Sequence, residues 1–411
     1  MDHRKKIHIE KLLPGMYVEN VLNEEEIFLF SADQLISGYH QIDFLKRQGV
    51  AIVYINTIKG KDIKDEETLS DGKLHNTANP EQPLPELKKA NEVLSVRNRT
   101  ISTVKQMMLD IKAGKLPSVR SISGIVDEMI NQVLENPDTC FGLCQISSYS
   151  DRLYIHSVNV AVLMIGLASE LGYSREKTLQ AGIGGIFHDL GKVRLPEELI
   201  FFEGAYTNEE LNLVKKHPQY ALEMIEKSSE VLPNSCLDII GQHHERLNGS
   251  GYPQKLKGSR INEMAFICAV CDVYDSLTSE GFRRKACIPQ EALALIFQGA
   301  DDEYPRKIVE HLIKLLGIYP VGSLIVLESG EIGVVTKINR NNLLLPQVAI
   351  LFDSKGGKIS VPFVRDLSKS NHEREREQWK VKGTLDPEDY GIEPVDFIMP
   401  ESAMKNAALS R

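Results

Sequence analysis

The chain has 411 residues, 42% of them hydrophobic, and a formal net charge of −9. That length leaves room for about two or three domains and at least one sizeable core. The acidic balance argues against a general nucleic-acid binder, which needs a basic field to displace counterions. A small phosphate ligand needs only a local group of cations and stays within reach.

In chain order, residues 1–60 read as a small β-rich domain. Ile7-His8-Ile9 alternates, Leu13-Pro14-Gly15 makes a turn, and Met16 to Val21 is strand-like. Val50 to Ile55 is a second clear strand, after a short helix from Ser37 to Gln48 that stops at Gly49. Residues 61–84 are polar and turn-rich, which predicts a linker. Residues 85–136 predict connecting helices. The first runs from Pro85 to Lys112 with Gly114 as its C-terminal cap. The second is opened by Pro117 and runs to about Glu135. Along it Leu116, Val119, Ile122, Ile125, Val126, Met129, Ile130 and Val133 recur at helical spacing, so both helices are expected to pack on the next domain.

Residues 137–318 read as helix after helix, and Thr207 with Glu210 fits a capping box. Residues 319–370 predict a small β domain. Within it two runs in Pro320 to Ile338 are joined by Glu328-Ser329-Gly330-Glu331, a hairpin signal; Val348 to Phe352 and Lys358 to Val364 add strands. Residues 371–411 are charged and then acidic, which predicts a loosely structured tail. The fold class is therefore multidomain and mainly α, an all-α catalytic domain with small β-containing domains at both ends. The N-terminus lacks an apolar run of signal-peptide length. The most apolar segment, Val158 to Ala168, falls short of the ~20 residues that span a bilayer. No membrane span and a cytoplasmic location are expected.

Cys140/Cys144 and Cys268/Cys271 have spacings that suit zinc, but they lie in apolar, helical surroundings without the glycines of a zinc ribbon. Reduced, buried thiols are the simpler reading for these and for Cys236 and Cys287.

The chemistry centres on His188-Asp189-Leu190-Gly191-Lys192. An imidazole stands beside a carboxylate, and a lysine follows after a glycine. A His-Asp pair alone is weak evidence, and the remaining histidines decide its meaning. His156 lies in an apolar helix, His217 precedes Pro218, and His243 and His244 are adjacent. Asp272 sits in FICAVCDVYDSLTS, where an ionised carboxylate is costly unless paired or metal-bound. Asp275, one turn on, is either a carboxylate on the helix face or a support for a ligand. A lone histidine on an apolar helix is more often a satisfied core residue. Five histidines and two aspartates in one domain are better explained together, as a shared metal site.

Seven ligands exceed one four-coordinate zinc. They suit two ions, with Asp189 bridging, His156, His188 and Asp272 on one, and His217, His243 and His244 on the other. A bridging water between such ions becomes a hydroxide nucleophile near neutral pH. Lys192, otherwise a solvated helix-end lysine, then meets the non-bridging phosphate oxygens. After His243-His244-Glu245 comes a glycine-rich turn. Gly249 and Gly251 let backbone approach a ligand, Tyr252 offers a ring for a base and a hydroxyl, and Pro253 stiffens the loop.

His188-Asp189-Leu190-Gly191-Lys192, with His243-His244-Glu245 and Gly251-Tyr252-Pro253, resembles the HD-GYP family, a branch of the HD phosphohydrolase superfamily, over about residues 137–318. The first segment, through about Gly60, resembles the small domain often found ahead of such domains. The resemblance implies an HD-type fold and a bacterial signalling hydrolase, a phosphodiesterase that cleaves cyclic di-GMP to pGpG and often on to GMP. It implies His156, His188, Asp189, His217, His243, His244 and Asp272 as metal ligands of a binuclear centre, with iron or manganese favoured over zinc. Asp189 and Lys192 would be catalytic. Lys192, Gly251, Tyr252, Pro253, Arg283 and Arg284 would bind substrate. Expected partners are cyclic di-GMP, other signalling proteins such as GGDEF-domain proteins, and a second copy of the chain; polymeric nucleic acid is not among them. The family usually has Asp at Asn248 and often Arg-Pro at Gly281-Phe282, and Arg152 replaces a glutamate that helps hold a third metal in some members. Two further readings stay open: a catalytically weak sensor that binds cyclic di-GMP, and another HD-superfamily nucleotide phosphohydrolase.

Overall fold

The computed structural model describes residues 4–23, 28–36, 42, 45–46, 50–61, 85–115, 119–145, 151–200, 206–227, 231–279, 285–370 and 372–398. Most of the helix expected over Ser37 to Gln48, most of the linker, Pro117, residues 281–284 and the last residues from Met399 lie outside the described ones.

At the N-terminal end β1 (Arg4–His8), β2 (Tyr17–Leu22), β3 (Phe28–Leu35) and β4 (Ile52–Asn56) form an antiparallel sheet in the order β1-β4-β2-β3. Val53 and Ile55 are fully buried while Ile52, Tyr54 and Asn56 are partly exposed, the period-two pattern of a strand covered on one face. Ile42 and Leu45, three positions apart, enter the same small core. β3 is a strand the sequence did not announce, because Phe28-Leu29-Phe30 has no alternation with its polar continuation.

The helical body comprises α1 (Pro85–Lys112), α2 (Val119–Glu135), α3 (Pro137–Leu143), α4 (Arg152–Glu170), α5 (Arg175–Phe187), α6 (Glu197–Ile200), α7 (Asn208–Val214), α8 (His217–Glu226), α9 (Asn234–Gln242), α10 (Glu263–Thr278), α11 (Pro289–Gln298) and α12 (Arg306–Leu316). Gly114 ends α1 as expected, with φ +84° and with Lys115 N donating to Asp110 O. Ile122, Val126, Met129, Ile130 and Val133 of α2 are all buried in one core that runs from Val93 of α1 to Leu316 of α12. The connecting helices therefore share the core of the segment they precede. Each fully buried aliphatic side chain stabilises that arrangement by roughly 1.5–3 kcal/mol.

The axis of this body is α4, buried at Ile155 and continuously from Ser157 to Ala168. It is apolar on every side because α1, α2, α5, α10 and α12 all pack on it. Among the described residues it is also the one helix long and apolar enough to cross a bilayer, and 72% of that window is buried inside the fold.

At the C-terminal end β5 (Leu324–Leu327), β6 (Ile332–Lys337), β7 (Gln347–Phe352), β8 (Lys358–Asp366) and β9 (Val381–Leu385) form a sheet in the order β8-β7-β6-β5-β9. The predicted hairpin joins β5 to β6, with Gly330 at φ +86°. The loose tail expected from residue 371 needs correction. After a short helix, Glu373–Gln378, the chain returns as β9 and pairs antiparallel with β5, Leu324 opposite Leu385. Trp379 and Val381 then pack on one face of the sheet and Leu385 on the other. The charged run before Trp379 concealed a strand whose partner lies more than fifty residues earlier (~50). The protein is thus mainly α with a small sheet at each end.

Candidate metal centre

Each candidate ligand sits at or near a helix end, or on a helix buried by its neighbours. His156 is on α4 and Asp272 on α10. His188 caps the C-terminus of α5, His217 opens α8, and His243 caps α9. Asp189 leads into a 3-10 turn, Leu190–Arg194. That turn lies against the start of α8. A Cβ at Gly191 would stand 1.8 Å from the His217 carbonyl oxygen, so only glycine permits the approach.

The seven side chains converge. Ligand atoms of His156, His188 and Asp189 lie within 4.8 Å of one another, and so do those of Asp189, His217, His243 and His244. Asp189 is common to both groups. Its Oδ2 faces His188 Nε2 at 3.4 Å and His156 Nε2 at 3.6 Å, and its Oδ1 faces His217 Nε2 at 3.3 Å. Asp272 joins the first group, with Oδ1 3.1 Å from His156 Nε2, while its Oδ2 lies 4.0 Å from His244 Nδ1. His217 Nε2 and His243 Nε2 approach to 3.2 Å.

The imidazoles are aimed from behind. Nδ1 of His188, His217 and His243 meets the carbonyl three residues back, at Gly185 (2.7 Å), Val214 (2.8 Å) and Ile240 (3.0 Å). With Nδ1–H donating to a carbonyl, Nε2 carries the lone pair and points into the cluster. His156 Nδ1 instead meets Asp275 Oδ2 at 2.7 Å.

The electrostatics fit cation binding. Burial pushes His217 down to about 4. Burial also pushes His243 and His244 down, helped by the neighbouring imidazoles. All three are neutral ligands at pH 7. Burial alone would raise Asp189, but Lys192 and His188 beside it hold it well below the carboxylate range. Burial likewise opposes the charge on Asp272, and His156 outweighs it. For His156 burial is outweighed by Asp272 and Asp275, which raise it to about 10. Lys192, bonded to Asp189 Oδ2, offsets part of the acidic charge of the cluster, and His156, held between Asp272 and Asp275, would yield its Nε2 proton to a cation bound there. His188 Nε2 and Asp189 Oδ1 are buried without a hydrogen-bond partner. Leaving such atoms unpaired costs about 1–3 kcal/mol each, a cost that metal ligation removes. Neutral imidazoles around a shared carboxylate suit a divalent transition metal. No cysteine belongs to a metal-holding group among the described residues. Burial pushes the Cys140 and Cys236 thiols up to about 12, so these are inert core thiols.

The loop after His244 is built differently. Glu245 is fully buried and accepts the backbone N–H of Gln254 (2.7 Å) and Leu256 (2.9 Å). A Cβ at Gly251 would stand 2.5 Å from His244 O and Arg246 N. Gly249 adopts φ +85°. Both glycines thus serve the loop's own path, where sequence reasoning assigned them to approach of a ligand. Tyr252 also differs from expectation. Its ring stacks on His244 at 4.5 Å between centroids, and Lys215 Nζ lies over it at 5.4 Å. One face of the ring is therefore covered by an imidazole, and the hydroxyl, pushed up by burial, is a protonated donor. Asn248 accepts from Ser250 N (2.9 Å) and donates to Asp302 (3.0 Å), so an amide serves this turn.

Pro253 follows in the loop, on a cis peptide with Tyr252. Arg283 and Arg284 lie outside the described residues. Sequence reasoning missed Glu245 and Lys215, and it left Asp275 undecided.

Residues 144–308 match the model of the HD domain, and residues 4–122 match that of a domain of unknown function, DUF3391. The chain is 30% identical over 364 residues to the cyclic di-GMP phosphodiesterase PA4108 of Pseudomonas aeruginosa, an alignment covering 87% of each chain. It is 26% identical over 293 residues to the cyclic di-GMP phosphodiesterase response regulator RpfG of Xanthomonas campestris pv. campestris, covering 70% of this chain and 75% of that one. Among solved structures, Bd1817, a HDG"Y"P protein from Bdellovibrio bacteriovorus, aligns with a TM-score of 0.47 and 17% identity, over 76% of this chain and 99% of that chain.

Proposed function

The chain belongs to the HD-GYP family of HD-domain proteins, and from that premise we propose that it is a metal-dependent phosphodiesterase opening cyclic di-GMP to pGpG, with GMP as a further product. The observation that carries the proposal is one carboxylate, Asp189, shared by two groups of buried imidazoles. Two divalent ions, iron or manganese, would be held by His156, His188, Asp189 and Asp272 on one side and by Asp189, His217, His243 and His244 on the other. When bound, such ions activate water and stabilise the charge of an in-line displacement at phosphorus.

The protein's own contributions follow from the geometry. The carbonyls of Gly185, Val214 and Ile240 keep three imidazoles in the ligating tautomer before any metal arrives. Burial opposes the Lys192 charge, but Asp189 and Asp272 raise it further, so its ammonium persists and can meet the non-bridging phosphate oxygens as charge builds. Tyr252 offers a hydroxyl donor, and Gly251 and Pro253 shape the loop that presents it. Arg283 and Arg284 remain proposed substrate contacts. A cytoplasmic location and signalling partners such as GGDEF-domain proteins belong to the same reading.

One sequence feature favours a second reading, a messenger-binding protein without turnover: Gly281-Phe282 stands where the family often has Arg-Pro. Metal analysis of protein purified without oxygen, paired with incubation in cyclic di-GMP, separates them. Two metals per chain and release of pGpG support the hydrolase. Tight binding of the messenger without product overturns it in favour of the sensor.

A further inference from the structure

The two halves of the cluster differ behind their ligands, and resting on the metal-centre reading above, we infer that the two cation positions are unequal. The half containing His156, His188 and Asp272 is the tighter one, and Asp275 is the positioning residue that makes it so. His188, His217 and His243 are each backed by a neutral carbonyl. His156 is backed by the carboxylate of Asp275, at 2.7 Å. A carboxylate behind a ligating imidazole fixes its orientation and raises its basicity toward a cation.

Asp275 is itself fixed. It is only 2% exposed, and its other oxygen accepts from Asn159 Nδ2 at 2.9 Å. The same amide nitrogen donates to Cys144 O at 2.8 Å, which ties the pair to the end of α3. Asp272 adds a further negative charge on this side, through the 3.1 Å approach to His156. The half built from His217, His243 and His244 has the shared Asp189, and Asp272 comes no nearer to His244 than 4.0 Å. Buried carboxylates a few ångströms from a dication favour it strongly in a medium of low dielectric. Asp275 belongs to neither group of ligand atoms, so it acts through His156.

The test is a titration of metal-free protein with manganese(II), free ion being followed by electron paramagnetic resonance and the fold by circular dichroism. The wild-type protein is expected to fill in two resolved steps. Asp275→Asn keeps the shape and removes the charge; it should weaken the tight step by ~10–100-fold and leave the other unchanged. Asn159→Ala keeps the carboxylate and should weaken the same step by less, and it carries the test if Asp275→Asn fails to fold. His217→Ala should erase the weak step and spare the tight one. Equal steps in the wild type, or an equal effect of Asp275→Asn on both, overturns the inference. A wild-type protein that takes up no manganese defeats instead the metal-centre reading beneath it.

Discussion

Two stretches of chain meet at His243. Before it, His188, His217 and His243 itself are aimed by carbonyls three residues back, on their own helix for His188 and His243 and at the end of the preceding helix for His217. After it, the loop to Leu256 is held by one buried carboxylate, Glu245, that gathers two backbone N–H groups. The first arrangement is rigid because helices in a shared core fix it. The second rests on hydrogen bonds of the loop's own side chains, of which Glu245 accepts two and Asn248 makes a further two. Ion binding and substrate presentation are therefore separable, and variants on either side of His243 should fail in different ways.

The largest effect belongs to Asp189→Ala. Both groups of ligands lose their common member, so metal content by elemental analysis should fall for both positions and hydrolysis should drop to background. Retention of both metals would refute the shared role of Asp189. Lys192→Ala should keep its metals and lower kcat by ~10²–10³-fold, the scale for losing a positioned group that stabilises developing charge. Glu245→Ala should also keep its metals. It leaves two part-buried N–H groups without their acceptor, so the loop should loosen and KM rise by ~10-fold while kcat changes less. Loss of metal in this variant would mean that loop and cluster are one unit.

A more gradual effect separates the halves of the cluster itself. In metal-free protein His217 has a folded value of about 4, below its ordinary 6.5. Between those values the unfolded chain takes up a proton that the fold refuses, so stability falls as pH falls through that window. His156, raised to about 10, contributes stability that is fully present below 6.5 and is lost as pH rises through 10. Thermal melts of the metal-free protein should decline on both sides, the acid side flattening in His217→Ala and the alkaline side in His156→Ala.

Much of the centre was legible in the sequence because its members are conspicuous there. A histidine at position 156 or an aspartate at 272 stands among apolar helix residues, where an unpaired polar group is costly. What supports these members was harder to read. The carbonyls that aim the imidazoles are invisible in any sequence. Glu245 acts on residues nine and eleven positions on, |i−j| = 9 and 11, which no local pattern foretells. Tyr252 was read as a platform because an aromatic ring beside glycines suggests one; its packing on His244 is a tertiary fact. In the flanking sheets, β4 was clear from its alternation, whereas β9 follows the charged stretch Glu373–Gln378 and owes its conformation to an edge supplied by β5.

That borrowed edge has a practical consequence. A shortened protein ending at residue 370 would strip β5 of its outer neighbour and leave a row of unanswered amides beside the apolar side chains of Leu324 and Leu327. Such a border recruits strands from other molecules. β9 thus shields the edge of β5, and a version trimmed ahead of it should self-associate, which size-exclusion chromatography would show.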